Sequence, residues 1–163
     1  SGGVGSAAIQ LAKGRGARVI GVAGASKQQS VADAGADLTL IRGSSLEVAL
    51  GNDSVDVVID LVGGADWPEL PNILRPFGRY AVSGAIAGPI VQLDLRTLYL
   101  KDQSFLGCTV LDDGVFARLV SLVDQEAIKP LMARSFPLEA ISEAQAFFLE
   151  KRFTGKLVID MSL

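Results

Sequence analysis

Short apolar runs rich in β-branched residues alternate with helical stretches along this chain, and that alternation restricts the fold more than any other feature. "ARVIGVAG" (17–24) and "VDVVIDLVGG" (55–64) are bounded by glycine and read as buried strands. "LTLI" (38–41), "GRYAVSG" (78–84) and "QSFLGC" (103–108) read as further strands. Between them, Val4, Ala8, Leu11 and Ala12 share a helical face that stops at Gly14 and Gly16. Ser26 is placed to cap a helix that reaches Ala34 and closes at Gly35. A short helix falls near 45–50, and Pro68 and Pro71 suit the start of one running toward Arg75. Asp112 and Asp113 are placed to cap another, whose Phe116, Leu119, Val120 and Val123 form an apolar stripe. Strand and helix alternating at this pace build βαβ units, and so an α/β fold with a doubly wound parallel sheet.

Composition enters where it decides between alternatives. The mean hydropathy of +0.38 is high, and strands covered on both faces explain it, because they read as unbroken Val/Ile/Leu runs. No apolar run approaches the ~18–20 residues of a membrane span. At 163 residues the chain has room for one domain and a piece of another. The tail "FPLEAISEAQAFFLEKRFTGKLVIDM" (136–161) reads as a helix with Ile141, Ala144 and Phe148 on one face, a turn at Gly155 and a last strand. Pro130 and Pro137 bracket its approach, which places a boundary near residue 130.

The chain opens "SGGVG" and runs straight into a helix. In the dinucleotide turn G-x-G-x-x-G, the second glycine lets backbone approach a pyrophosphate and the third lets helix pack on strand. Gly2 and Gly5 stand at that spacing with Gly3 and Val4 between them, and the first glycine would fall one residue before Ser1. The sheet is therefore expected to lack its first strand, leaving residues 1–5 disordered, displaced or paired by another segment. The competing reading is a plain helix-initiating turn. Context favours the former, since a strand follows the helix and ends about 20 residues on, where this fold reads the adenosine ribose. There an NAD site places a carboxylate on the ribose hydroxyl, whereas this chain has Ala23, Gly24, Ala25, Ser26 and Lys27. A hydroxyl and an ammonium attract a 2′-phosphate, so NADP(H) is the expected cofactor; the other reading is that Ser26 caps and Lys27 solvates the helix.

The remaining chemistry is narrow. A formal charge of −3 argues against a nucleic acid partner, which needs a basic face. There is no histidine, so the commonest general base and metal ligand is absent. One cysteine makes no internal disulfide, and without a leader pattern the expected location is the cytoplasm. Cys108 lacks an activating histidine and reads as a small apolar residue. A short-chain dehydrogenase pair needs Tyr and Lys four apart, but Gly84 follows Tyr80 and Gln103 follows Tyr99. Asp56 and Asp60 read as strand-edge polar groups, and Trp67 as a helix cap or a ligand contact. "AIAGPIVQLDL" (85–95) is apolar and glycine-interrupted, which suits an edge strand that pairs between subunits.

The ordered segments "SGGVGSAAIQLAK", "GA", "ASK", "AGAD" (34–37), "DVVIDLVGG" (56–64), "LRPFGRYAVSGA" (74–85) and "GKLVID" (155–160) resemble the medium-chain dehydrogenase/reductases. The branch they resemble most is that of quinone oxidoreductases and zinc-type alcohol dehydrogenases. The resemblance covers nearly the whole chain and implies a Rossmann-type domain. By it, Gly2, Gly3, Val4 and Gly5 bind the pyrophosphate, and Ser26 and Lys27 take the 2′-phosphate. Val62, Gly63, Ser83, Gly84 and Ala85 line the nicotinamide and its ribose, and Cys108 and Thr109 meet the carboxamide. Arg42 stands where many relatives have tyrosine, either as a partner of the 2′-phosphate or adenine or as a surface charge. Residues 1–129 would be the nucleotide domain, and 130–163 a segment returning to a catalytic domain that also holds any zinc ligands and the substrate. The implied reaction is hydride transfer to a carbonyl or quinone, with a homodimer formed through 85–95; the chain alone would bind cofactor and turn over little. The alternative is a non-catalytic nucleotide-sensing or dimerising module.

Overall fold

The computed structural model describes residues 2–150 and 152–162. In chain order the elements are α1 (Gly3–Gly14), β1 (Ile20–Ala23), α2 (Gln28–Asp33), β2 (Leu38–Ile41), α3 (Leu46–Leu50), β3 (Val55–Asp60), α4 (Glu69–Ile73) and β4 (Leu74–Val82). Then come α5 (Leu95–Leu100), β5 (Ser104–Gly107), α6 (Val115–Asp124), β6 (Met132–Pro137), α7 (Ile141–Glu150) and β7 (Lys156–Asp160). Among the described residues every strand pair is parallel, and the strands fall into three sheets, β1-β2, β3-β4-β5 and β6-β7. The chain divides into two compact units. One takes the described residues up to Arg42 and those from Phe116 onward, and the other is Gly43–Val115.

In the first unit, β1 carries Ile20–Ala23 alongside Leu38–Ile41 in register. Ile9 of α1, Ala23 of β1 and Val31 of α2 make its core, with Val19, Ala34 and Ala36 packed against them. A side chain at Gly21 would overlap Val31, so only glycine lets α2 lie this close to β1. Gly2 forms a single parallel bridge with Gly155, so the pairing found at the start of the chain comes from the C-terminal strand region. Among the described residues β1 pairs only with β2, and in the other unit β3 pairs only with β4, which leaves each with an open edge. Ser1 lies outside the described residues.

In the second unit, Val58, Tyr80 and Phe105 stand in register across β3, β4 and β5 on one face. Trp67, Leu74 and Tyr80 are buried there, with Val55, Leu70, Val82 and Leu93 around them. The indole ring meets Tyr80 edge-on at 5.7 Å and Phe105 at 6.0 Å, an arrangement aromatic quadrupoles favour. Trp67 is thus a core residue.

Several expectations are corrected. Ile59, Ala81 and Leu106 are in register on the opposite face, yet Ile59 is 53% and Leu106 47% exposed. The α3 and α4 helices contact each other and α4 packs on β4, so burial on both faces does not hold for these strands. Ser26 does not cap a helix: it sits in a 3-10 turn over Ala25–Lys27 that starts from Gly24, and α2 follows with Lys27 at its cap position. Residues 85–95 form no strand, only a bridge from Gly88 to Gly63, and Asp94 caps α5 through its bond from Arg96 N–H. The β6 strand was not expected; it has a charge and a proline but no apolar run, and buries only Phe136 fully. Phe116, Leu119, Val120 and Val123 of α6 are all exposed.

Candidate functional site

The second unit holds half of the expected residues. Parallel strands deliver their C-terminal ends to one edge, where ligands bind in open α/β sheets. Here β4 and β5 end at Val82 and Gly107, and an open hollow of about 560 Å³ lies beyond them. Its lining includes Ser83, Gly84, Ala85, Cys108 and Thr109. Cys108 N–H donates to Val82 O at 2.8 Å, which continues the strand pairing into the loop. Its thiol is exposed.

Val62 and Gly63 follow β3 and are tied to the same loops. Ala87 N–H donates to Val62 O at 2.8 Å and Gly64 N–H to Gly88 O at 3.1 Å. Gly63 has φ +60, and a side chain there would stand 2.6 Å from Gly88 O, so the close approach of these loops requires glycine. At Gly84 an added carbon would meet Leu61 O at 3.0 Å.

Asp60, set aside in the sequence as an edge residue, ends β3 buried at 7% exposure. Its Oδ1 accepts Val62 N–H at 2.8 Å and Gly63 N–H at 3.1 Å, and its Oδ2 accepts Tyr80 O–H at 2.7 Å. Tyr80 Oη in turn accepts Trp67 Nε1–H at 2.8 Å. Burial first, and then its bond to Asp60, push the Tyr80 hydroxyl up to about 12. Asp56, by contrast, is exposed and pairs with Arg75 at 2.5 Å.

In the first unit, α1 starts at Gly3, and Gly2 offers no side-chain cap. The helix is 12 residues long and turns its first N–H groups and positive dipole end toward this point. A side chain at Gly2 would meet nothing within 4 Å, so the approach is open. At Gly3 it would overlap the Lys156 side chain. Lys156 thus brings a cation's stem against the helix start; sequence order, 153 residues away, hid it.

The ends of β1 and β2 bring Arg42 to Ala23, through a bond from Arg42 N–H to Ala23 O at 2.8 Å. Ser26 is exposed, and Lys27 Nζ donates to Phe153 O at 2.8 Å, which leaves other ammonium protons to offer. Gln28 Nε2 donates to Ala23 O at 2.8 Å and Leu40 O at 3.1 Å, clamping both strand ends. Within the first unit, a helix start without a side-chain cap and the exposed Ser26, with Lys27 and Arg42 at the strand ends, suit an anionic group. They do not suit zinc, because the chain has no histidine and one cysteine, and no group of three ligating side chains occurs among the described residues.

Parallel strands with glycine-rich loops at their C-terminal ends define a Rossmann-type nucleotide-binding fold. The sequence pattern of the zinc-binding dehydrogenases matches residues 3–125, and the chain belongs to that family, within the medium-chain dehydrogenase/reductases. It is 31% identical over 160 residues to acryloyl-coenzyme A reductase of Sulfurisphaera tokodaii, covering 98% of this chain and 48% of the relative. A solved Sinorhizobium meliloti protein assigned as an alcohol dehydrogenase is 46% identical, with a TM-score of 0.88 over 98% of this chain and 46% of that one. A solved NAD-dependent alcohol dehydrogenase is 29% identical, with a TM-score of 0.83 over 96% of this chain and 47% of the other. The chain spans about half the length of the relatives it matches. No helix among the described residues is long and apolar enough to cross a membrane.

Proposed function

We propose that this chain is the NADP(H)-binding part of an oxidoreductase that moves hydride between the nicotinamide and a carbonyl or quinone. The observation that carries the reading is the hollow beyond β4 and β5, lined by Ser83, Gly84, Ala85, Cys108 and Thr109, with the Val62–Gly63 turn bonded to its rim. These residues take the nicotinamide end. Gly2, Gly3, Val4 and Gly5 take the pyrophosphate, with Lys156 beside them. Ser26, Lys27 and Arg42 take the 2′-phosphate.

The bound cofactor supplies the reactive carbon and the hydride. This chain's residues hold the dinucleotide by backbone N–H groups and cations. Likeness to an acryloyl-coenzyme A reductase adds an alkene conjugated to a carbonyl to the substrate classes. Residues 1–129 form the nucleotide-binding part, and 130–163 complete a substrate domain contributed by further sequence. With Ile86 at 85% and Ile90 at 88% exposure, residues 85–95 offer an apolar surface to a second copy of the chain. A single cysteine suits the cytoplasm.

Replacing Lys27 tests the cofactor choice. Titration of nicotinamide fluorescence should show Lys27→Glu weakening NADPH by about tenfold or more, with NADH changed by less than about threefold. Equal effects on both cofactors would sink the 2′-phosphate assignment.

A further inference from the structure

The nicotinamide-end loops carry few side chains of their own, so something beneath them must set their shape. Asp60 is the one charged group buried among the second unit's described residues, and its hydrogen bonds run to neutral donors. Two are the turn amides of Val62 and Gly63; the third is the Tyr80 hydroxyl, itself held by the Trp67 indole. A buried carboxylate is costly unless its oxygens are bonded. The turn that supplies its amides is therefore favoured over other turn conformations. The backbone carries the constraint onward: Ser83 N–H donates to Asp60 O at 2.9 Å, Ala87 N–H to Val62 O, and Gly64 N–H to Gly88 O. Loops 61–64 and 83–88 thus hang from one residue.

We propose that Asp60 is a positioning residue for nicotinamide binding: through its carboxylate it fixes the 61–64 turn, and through that turn the 83–88 loop. Tyr80 and Trp67 lock the carboxylate's orientation from the core side. The proposal rests on the reading of Val62, Gly63, Ser83, Gly84 and Ala85 as the nicotinamide end, but its structural half stands apart from any ligand. Asparagine keeps an acceptor oxygen for the two turn amides, while alanine leaves both amides and the Tyr80 hydroxyl without their partner.

The test uses Asp60→Ala, Asp60→Asn and Tyr80→Phe, with Trp67 fluorescence as a check of the fold because Trp67 is the only tryptophan. Hydrogen exchange of the ligand-free protein should speed up by about tenfold or more at 61–64 and 83–88 in Asp60→Ala, with Asp60→Asn restoring most of the protection. Tyr80→Phe should give a smaller change at the same loops. NADPH should bind about tenfold more weakly to Asp60→Ala, while 2′,5′-ADP, which lacks the nicotinamide, should change by less than about twofold. Unchanged exchange at the loops, or equal weakening of NADPH and 2′,5′-ADP, would overturn the positioning role. A wild-type chain that binds neither ligand would instead remove the cofactor reading and with it the nicotinamide half of the proposal. If Asp60→Ala does not fold, Tyr80→Phe carries the comparison: faster exchange confined to 61–64 and 83–88 supports the role, and unchanged exchange there overturns it.

Discussion

At the end of β3, one buried carboxylate collects two amides and a hydroxyl, and an indole stands behind the hydroxyl. At the start of α1, a glycine with no side-chain cap meets the rest of its unit through a single bridge to Gly155. The two regions are built by opposite means. The first is shaped by side chains packed in a core, so its geometry and the unit's stability share the same residues. The second is shaped by bare backbone, and residues there can change with little effect on folding. Mutations in the second unit should therefore show in stability first, and those at the α1 start in binding alone.

The largest effect expected is that of Trp67→Ala. It removes the buried centre of the aromatic cluster and the donor to Tyr80, and should cost about 3–5 kcal/mol in chemical denaturation. A cost below about 1 kcal/mol would break the contrast. The next is a pH effect. Tyr80 keeps its proton in the folded state up to about 12, against an ordinary value of 10.0. The stability gained from this is complete below pH 10 and lost as pH rises through about 12, and amounts to at most about 2.7 kcal/mol. Tyr80→Phe should abolish that alkaline step in stability, and the absorbance difference between the two proteins should place the tyrosinate transition near 12.

Smaller effects sharpen the contrast between glycines. Gly63→Ala puts a side chain at φ +60 and against Gly88 O, and should cost about 1–3 kcal/mol. Gly2→Ala has φ −81 and open space around it, and should move stability by less than about 0.5 kcal/mol while weakening dinucleotide binding. Comparable losses of stability from both would show that the two ends are not built differently.

Much of this was legible in the sequence, for physical reasons. "LTLI" and "VDVVIDLVGG" declared their strands because short β-branched apolar runs between turn residues suit extended backbone. Gly63 and Gly84 stood out because close approach of one loop's backbone to another demands that residue type. The β6 strand was not legible, since "MARSFP" carries a charge and a proline and its pairing with β7 is a tertiary choice. Residues 85–95 looked like a strand because apolar content and glycine cannot by themselves separate an edge strand from an exposed loop. Asp60, Tyr80 and Trp67 meet across 20 and 13 residues, and Lys156 reaches Gly3 from the far end of the chain. No spacing rule reports contacts of that kind.

The central claim is that the chain binds a nicotinamide dinucleotide phosphate, and thermal unfolding with and without nucleotides tests it most directly. At about a hundredfold excess over Kd, NADPH should raise Tm by about 5–10 °C, NADH by less, and S-adenosylmethionine not at all. A Tm unmoved by every nucleotide, with a dimer intact, would contradict the account and leave a non-catalytic dimerising module in its place.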